Sequence, residues 1–312
     1  MTIKPGSRDL LWMAVGAILL LAVVLVVLHF QPTQSPSKQL ALKIRRSDLA
    51  AQMRLDLALA SEAEKSAVLA VTDEDSRTFA DQARAATAEV ERKRQELEGL
   101  LAADGTQDEK DLLAQFSKIF AEFQSIDHDL LVLAVKNTNI KAYNLAFGPA
   151  MDALNTMNTG LLRLLGKSNG TAVSPKAHTS VYAAINGAWQ IQILLPQHIA
   201  EESDKKMDEV ERHMATLDQS VRQALDNLVE IKILSSDPDL RTAVSKYAEF
   251  SGIRGRILAL SRENTNVRSL ALSLGRKRKV MFLCQDALAT LQQAIQAEPS
   301  AVVPNPRSLE AR

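Results

Sequence analysis

The 312-residue sequence predicts an all-α protein: an N-terminal transmembrane helix followed by two tandem antiparallel up-down four-helix bundles. Three observations lead there. Leu10 to Leu28 is an uncharged apolar run that, at ~1.5 Å per residue, covers the ~30 Å hydrocarbon core of a bilayer. Beyond it, apolar residues recur at alternating spacings of three and four almost to the end, and no two-residue alternation is sustained. Polar turn residues also recur in order at a shift of 127 or 128, which marks an internal duplication.

Residues 1–9 form a short tail and residues 10–30 the anchor, with Trp12 at one end and His29 and Phe30 at the other. The following Gln31-Pro32-Thr33-Gln34-Ser35-Pro36 has no small-residue cleavage pattern, so the anchor is read as retained. In the joint 31–37, Pro32 and Pro36 interrupt helical continuity. Lys4 and Arg8 before the span and Lys38, Lys43, Arg45 and Arg46 after it leave the orientation open on charge alone.

A first bundle is expected over 38–165. Its third helix carries Leu112, Phe116, Ile119, Phe123, Ile126, Leu130 and Leu133 on one stripe, and its fourth carries Ile140, Tyr143, Phe147, Ala150, Leu154, Met157, Leu161 and Leu164. Thr72 before Asp75 and Thr106 before Glu109 read as capping boxes. The polar break 166–173 is taken as the linker between domains. A second bundle is expected over 174–298, its helices opened by Ser174-Pro175 and Asp237-Pro238, with a Pro-containing tail at 299–312 read as disordered.

The duplication rests on polar matches, because a heptad alone aligns any two helices. Arg94 to Leu100 matches Arg222 to Leu228, Ala121-Glu122-Phe123 matches Ala248-Glu249-Phe250, and Asn137-Thr138-Asn139-Ile140 matches Asn264-Thr265-Asn266-Val267.

Lys and Arg balance Asp and Glu at 37 each, which argues against a nucleic-acid partner. The single cysteine, Cys284, excludes an internal disulfide and a Cys-based zinc site. His198 with Glu201 and Glu202 falls short of the paired Glu-x-x-His set of a di-iron bundle, so no metal and no cofactor is expected. No phosphate loop, nucleophile elbow or haem-attachment motif is present, and the expected function is non-catalytic.

Glu62 to Ala70, the turn Val71 to Ser76 and Phe79-Ala80-Asp81-Gln82-Ala83, together with the turn Leu133 to Asn139, resemble the four-helix-bundle sensor domain of methyl-accepting chemotaxis receptors. The resemblance covers 38–165 well and 174–297 more weakly. It implies a bacterial inner-membrane protein crossing once, with its N-terminus cytoplasmic and its bundles periplasmic. It also implies a small-molecule ligand, a protein partner for signalling and a homodimer. Unlike those receptors, the sequence shows no second span or signalling hairpin after the repeat, so output through a partner is expected. The alternative is a structural spacer or assembly factor tethered to the membrane.

Two sets of residues are candidate contacts. Asn137, Asn139, Asn264 and Asn266 flank the paired turns, where Asn and Thr also make good caps, and up-down topology would put them at the membrane-distal end. Arg276, Lys277 and Arg278 belong to a four-cation run that cannot all face solvent. Lys277 occupies a core slot of the heptad, so it requires snorkelling or an anionic partner. Pro149 and Pro196 are expected to kink their helices, and Tyr143 and Trp189 to pack in seams.

Overall fold

The structure is a computed structural model and describes residues 36–168 and 174–297. The anchor at 10–30, most of the joint and the tail at 299–312 lie outside these residues. Among the described residues no helix is long and apolar enough to cross a membrane, and there is no strand.

The chain is all-α. In order come α1 (Pro36–Leu69), α2 (Asp73–Asp104), α3 (Gln107–Ala134), α4 (Thr138–Leu145), a π-helical turn (Ala146–Ala150) and α5 (Met151–Ser168). Then follow α6 (Ser174–Ala200), α7 (Asp204–Val229), α8 (Pro238–Glu263), α9 (Thr265–Leu272), a second π-helical turn (Ser273–Lys277) and α10 (Arg278–Ala297).

The caps expected from the sequence form where the chain reverses. Thr72 Oγ1 accepts the Asp75 amide at 3.0 Å, and Thr106 and Glu109 close a reciprocal capping box. Glu109 also receives Arg46 Nη1 at 3.0 Å, and both side chains are buried, so the start of α1 is tied to the α2–α3 turn. Asp237 caps α8 through the Asp239 amide at 2.8 Å, with Pro238 in the first turn.

Two four-helix packings exist, but they are not the tandem pair at 38–165 and 174–298. α1, α2 and α3 pack with α9–α10, while α4–α5 pack with α6, α7 and α8. The hydrophobic cores divide accordingly. One joins Leu57, Leu97 and Phe120 to Cys284 and Leu288; the other joins Leu154 and Leu161 to Ile191, Leu225 and Phe250. The first bundle is therefore split in sequence and the second is contiguous, inserted between α3 and α9. The break at 166–173 joins two neighbouring helices of the contiguous bundle and is not a domain boundary.

The physical reason lies at 137 and 264. Asn137 (φ 51°) and Asn264 (φ 52°) are single left-handed residues between helices. At each of them the chain changes direction and the following helix leaves the helices before it. Each fourth helix of the duplicated unit consequently runs on into the opposite bundle, an exchange of equivalent elements within one chain.

Pro149 lies within the first π-helical turn, which interrupts the fourth helix of the first repeat between α4 and α5. The second turn falls at the same place in the repeat without a proline, so the widened turn belongs to the repeated unit. Pro196 lies inside α6, which remains continuous.

Candidate functional site

Two polar clusters stand out against the apolar seams, and one of them is the joint between the bundles. Thr138 N donates to Thr265 Oγ1 and Thr265 N donates to Thr138 Oγ1, each at 3.2 Å. Asn139 N and Asn266 N likewise donate to each other's side-chain oxygens at 3.2 Å. The first turns of α4 and α9 thus cap one another across a local two-fold. Asn139 Nδ2 reaches Ile199 O at 2.7 Å and Asn264 Oδ1 at 2.8 Å, and Asn264 Nδ2 reaches Glu201 O at 2.8 Å. Asn137 ties in the α1–α2 turn through Asp73 Oδ1 at 3.2 Å.

The asparagines lie inside the protein and not at a free end of a bundle. Asn137, Asn139 and Asn264 are buried, Asn266 is half-buried, and all four lie where the bundles meet. Their hydrogen-bonding groups are used internally, so they act as a joint rather than as a docking surface.

His198 closes the lower end of α6 beside the joint and does not associate with Glu201 and Glu202 as a metal set. Its ring is buried, with Nδ1 2.8 Å from Ser261 Oγ and Nε2 2.8 Å from Glu211 Oε1. Burial lowers its pKa, against the opposing pull of Glu211. Among the described residues no group of three His, Cys, Asp or Glu side chains is placed to hold a metal ion.

The second cluster lies in the split bundle at the second π-helical turn. The four-cation run separates there: Arg276 pairs with Glu122 at 2.8 Å on the surface, Arg278 stands over the exposed Phe282 ring, and Lys279 is exposed. Lys277 turns inward, is fully buried, and donates to Asp127 while its ammonium lies 3.8 Å from the centre of the Phe123 ring. Its anionic partner is thus a neighbouring helix of the same chain. Desolvation pulls the Lys277 pKa down and Asp127 opposes the shift. Burial pushes the nearby Cys284 thiol up to about 12, which leaves it an inert core group.

Glu64 of α1 shares this layer. It is fully buried, and neither carboxyl oxygen has a hydrogen bond of good geometry. Desolvation raises its pKa above the usual carboxylate range; the Ser273 hydroxyl beside it and the Lys277 charge oppose that rise, while Asp127 adds to it. The contiguous bundle shows what this position does. There the matching residue is Gln192, whose Nε2 donates at 2.8 Å to the carbonyl of Ala146, the first residue of the first π-helical turn. A neutral Glu64 has the same shape and one O–H donor where Gln192 uses one N–H.

A raised carboxyl pKa means that the folded state binds more protons, so stability falls as pH rises from the unfolded value through the folded one. Glu64→Gln is therefore expected to leave stability unchanged near pH 4. At pH 8 it should raise stability by about 1–3 kcal/mol, the range for relieving one unsatisfied buried group. Urea unfolding at the two pH values checks this, and an equal effect at both would show that the Glu64 pKa is the same in the folded and unfolded states.

Glu64, Asp127 and the Ser261 and Glu211 partners of His198 were not among the candidate site residues read from sequence. Asp127 adjoins Ile126 of the α3 stripe, and Glu64 aligns with Gln192 at the repeat shift of 128, so the repeat carried a signal for the latter. No protein-family model matches the chain, and no curated protein matches it.

Proposed function

We propose that the chain is a non-catalytic, membrane-anchored sensory or binding module of the chemoreceptor four-helix-bundle type. Residues 10–30 hold it in a bacterial inner membrane, the bundles lie in the periplasm, and signalling passes through a protein partner. The observation that carries this reading is the reciprocal joint at Thr138 and Thr265. Two helical paths, α3 to α5 and α8 to α10, each run through both bundles and clasp there. A stiff helix shifted at one end has to move in the other bundle, which is how helix displacement carries a signal between sites.

A docking face for the partner, or for a second copy in a homodimer, is offered by α1. Its outer side exposes Leu40, Ile44, Leu55 and Leu59, beside Phe282 and Leu283 of α10. The same row of exposed apolar residues favours the second reading, a spacer that holds partners at a fixed stand-off.

Thermal-shift screening of the full-length protein in detergent against amino acids, organic acids and polyamines separates the two, combined with crosslinking in native membranes. A sensory module is expected to show a raised midpoint with a native-state ligand, by about 2–4 °C for each kcal/mol of linkage. It should also show a crosslinked partner whose yield changes with that ligand. A partner held at constant yield with no ligand in the panel would favour the spacer, and a reporter fused after Arg312 that is active only in the cytoplasm would overturn the periplasmic placement.

A further inference from the structure

Between α1 and the second π-helical turn lies a cavity of about 520 Å³, within the range of small-molecule pockets. Its deep side is formed by three buried polar residues, Ser61, Ser273 and Lys277. Met281 is half-buried along one wall, and Leu274 and Phe282 are exposed at the mouth together with Arg278 and Lys65.

The hydrogen-bonding capacity of the deep side is not used up. The Ser61 hydroxyl makes no hydrogen bond, although the residue is only 9% exposed. Ser273, 2% exposed, has the unbonded Glu64 carboxyl beside it. Lys277 has three N–H donors, of which Asp127 takes one and the Phe123 face orients the group.

Charge selects the sign of a guest. Lys277 and Asp127 cancel. At the mouth, Lys65 and Arg278 outnumber Glu62 by one positive charge. Donors at depth, a positive mouth and apolar walls together fit a guest with one negative, acceptor-only head and a short hydrocarbon or aromatic body.

We infer that this cavity is a binding site for a small monocarboxylate carrying an apolar group. The carboxylate takes hydrogen bonds from the Ser61 and Ser273 hydroxyls and the Lys277 ammonium, and the apolar body lies along Met281 and Phe282. Arg278, already over the Phe282 ring, adds charge at the entrance. The inference rests on the sensory reading above and names the ligand class for it. Because the site includes the π-helical turn that follows α9, occupancy acts on one of the two helices of the joint.

The test uses full-length protein in lipid nanodiscs with 3-phenylpropionate as probe and 3-phenylpropylamine as its oppositely charged match, followed by calorimetric titration. The acid is expected to bind saturably and the amine not. Arg278→Glu, an exposed change that leaves the fold intact, should weaken the acid by about tenfold or more. Ser61→Leu, which fills the deep side, should abolish binding. Absence of saturable acid binding, preference for the amine, or acid binding unchanged by Arg278→Glu would each overturn the assignment. In any of those cases the ligand-dependent crosslinking of a partner still decides the sensory reading by itself.

Discussion

Lys277→Met is expected to destabilise the protein by about 3–5 kcal/mol, the usual consequence of breaking a buried ion pair from one side. The ammonium is 1% exposed and sits between Asp127 and the Phe123 ring, so removing it leaves the Asp127 carboxylate without its counter-charge in an apolar layer. Asp127→Leu alone leaves the ammonium with only the ring and Glu64, and should be damaging for the mirror-image reason. The double variant Lys277→Met/Asp127→Leu removes both charges and should recover most of the loss, since apolar replacement of a whole buried pair is often neutral or stabilising. Urea unfolding of the four proteins closes the cycle. Additive losses in the double variant would mean that the two groups do not act as a pair.

Asn139→Ala is expected to cost roughly 3–5 kcal/mol, more than any other single change at the joint. Its side chain serves three partners at once: the buried Ile199 O at 2.7 Å and Asn264 Oδ1 at 2.8 Å, and the half-buried Asn266 amide at 3.2 Å. Each buried group left without a partner is worth about 1–3 kcal/mol. Asn137→Gly should be far milder, because glycine adopts the left-handed conformation freely and only the contacts to the α1–α2 turn are lost. Calorimetry should show the Asn139→Ala transition broadening or splitting as the bundles melt separately, while Asn137→Gly keeps one transition. Similar losses from the two variants would mean that backbone conformation, not the shared hydrogen bonds, holds the joint.

The helices, their caps and the duplication were legible because each leaves a local mark. Thr106 and Glu109 announce a helix start wherever that helix goes, and Leu161 is apolar whichever bundle receives it. The exchange of fourth helices leaves no such mark. The stripe through Leu154, Met157 and Leu161 and the one through Met281, Cys284 and Leu288 have the same spacing, so either can complete either bundle. What separates the alternatives is the geometry of Asn137 and Asn264, and Asn is equally at home in a reversing turn and in a single left-handed bend. The site was half legible for a similar reason. Lys277 in an apolar slot signalled a missing counter-charge, but Asp127 lies 150 positions away on a helix whose own stripe passes beside it.

The nesting of one bundle inside the other imposes an order on assembly. Residues from 138 to 263 hold all the partners of the contiguous bundle, so its helices can find one another over short stretches of chain early in folding. The split bundle closes across Ser47 and Gln296, 249 positions apart, and α1 to α3 wait with an open apolar seam until α10 has been synthesised. During that interval the exposed seam is the part of the chain that a chaperone has most reason to cover.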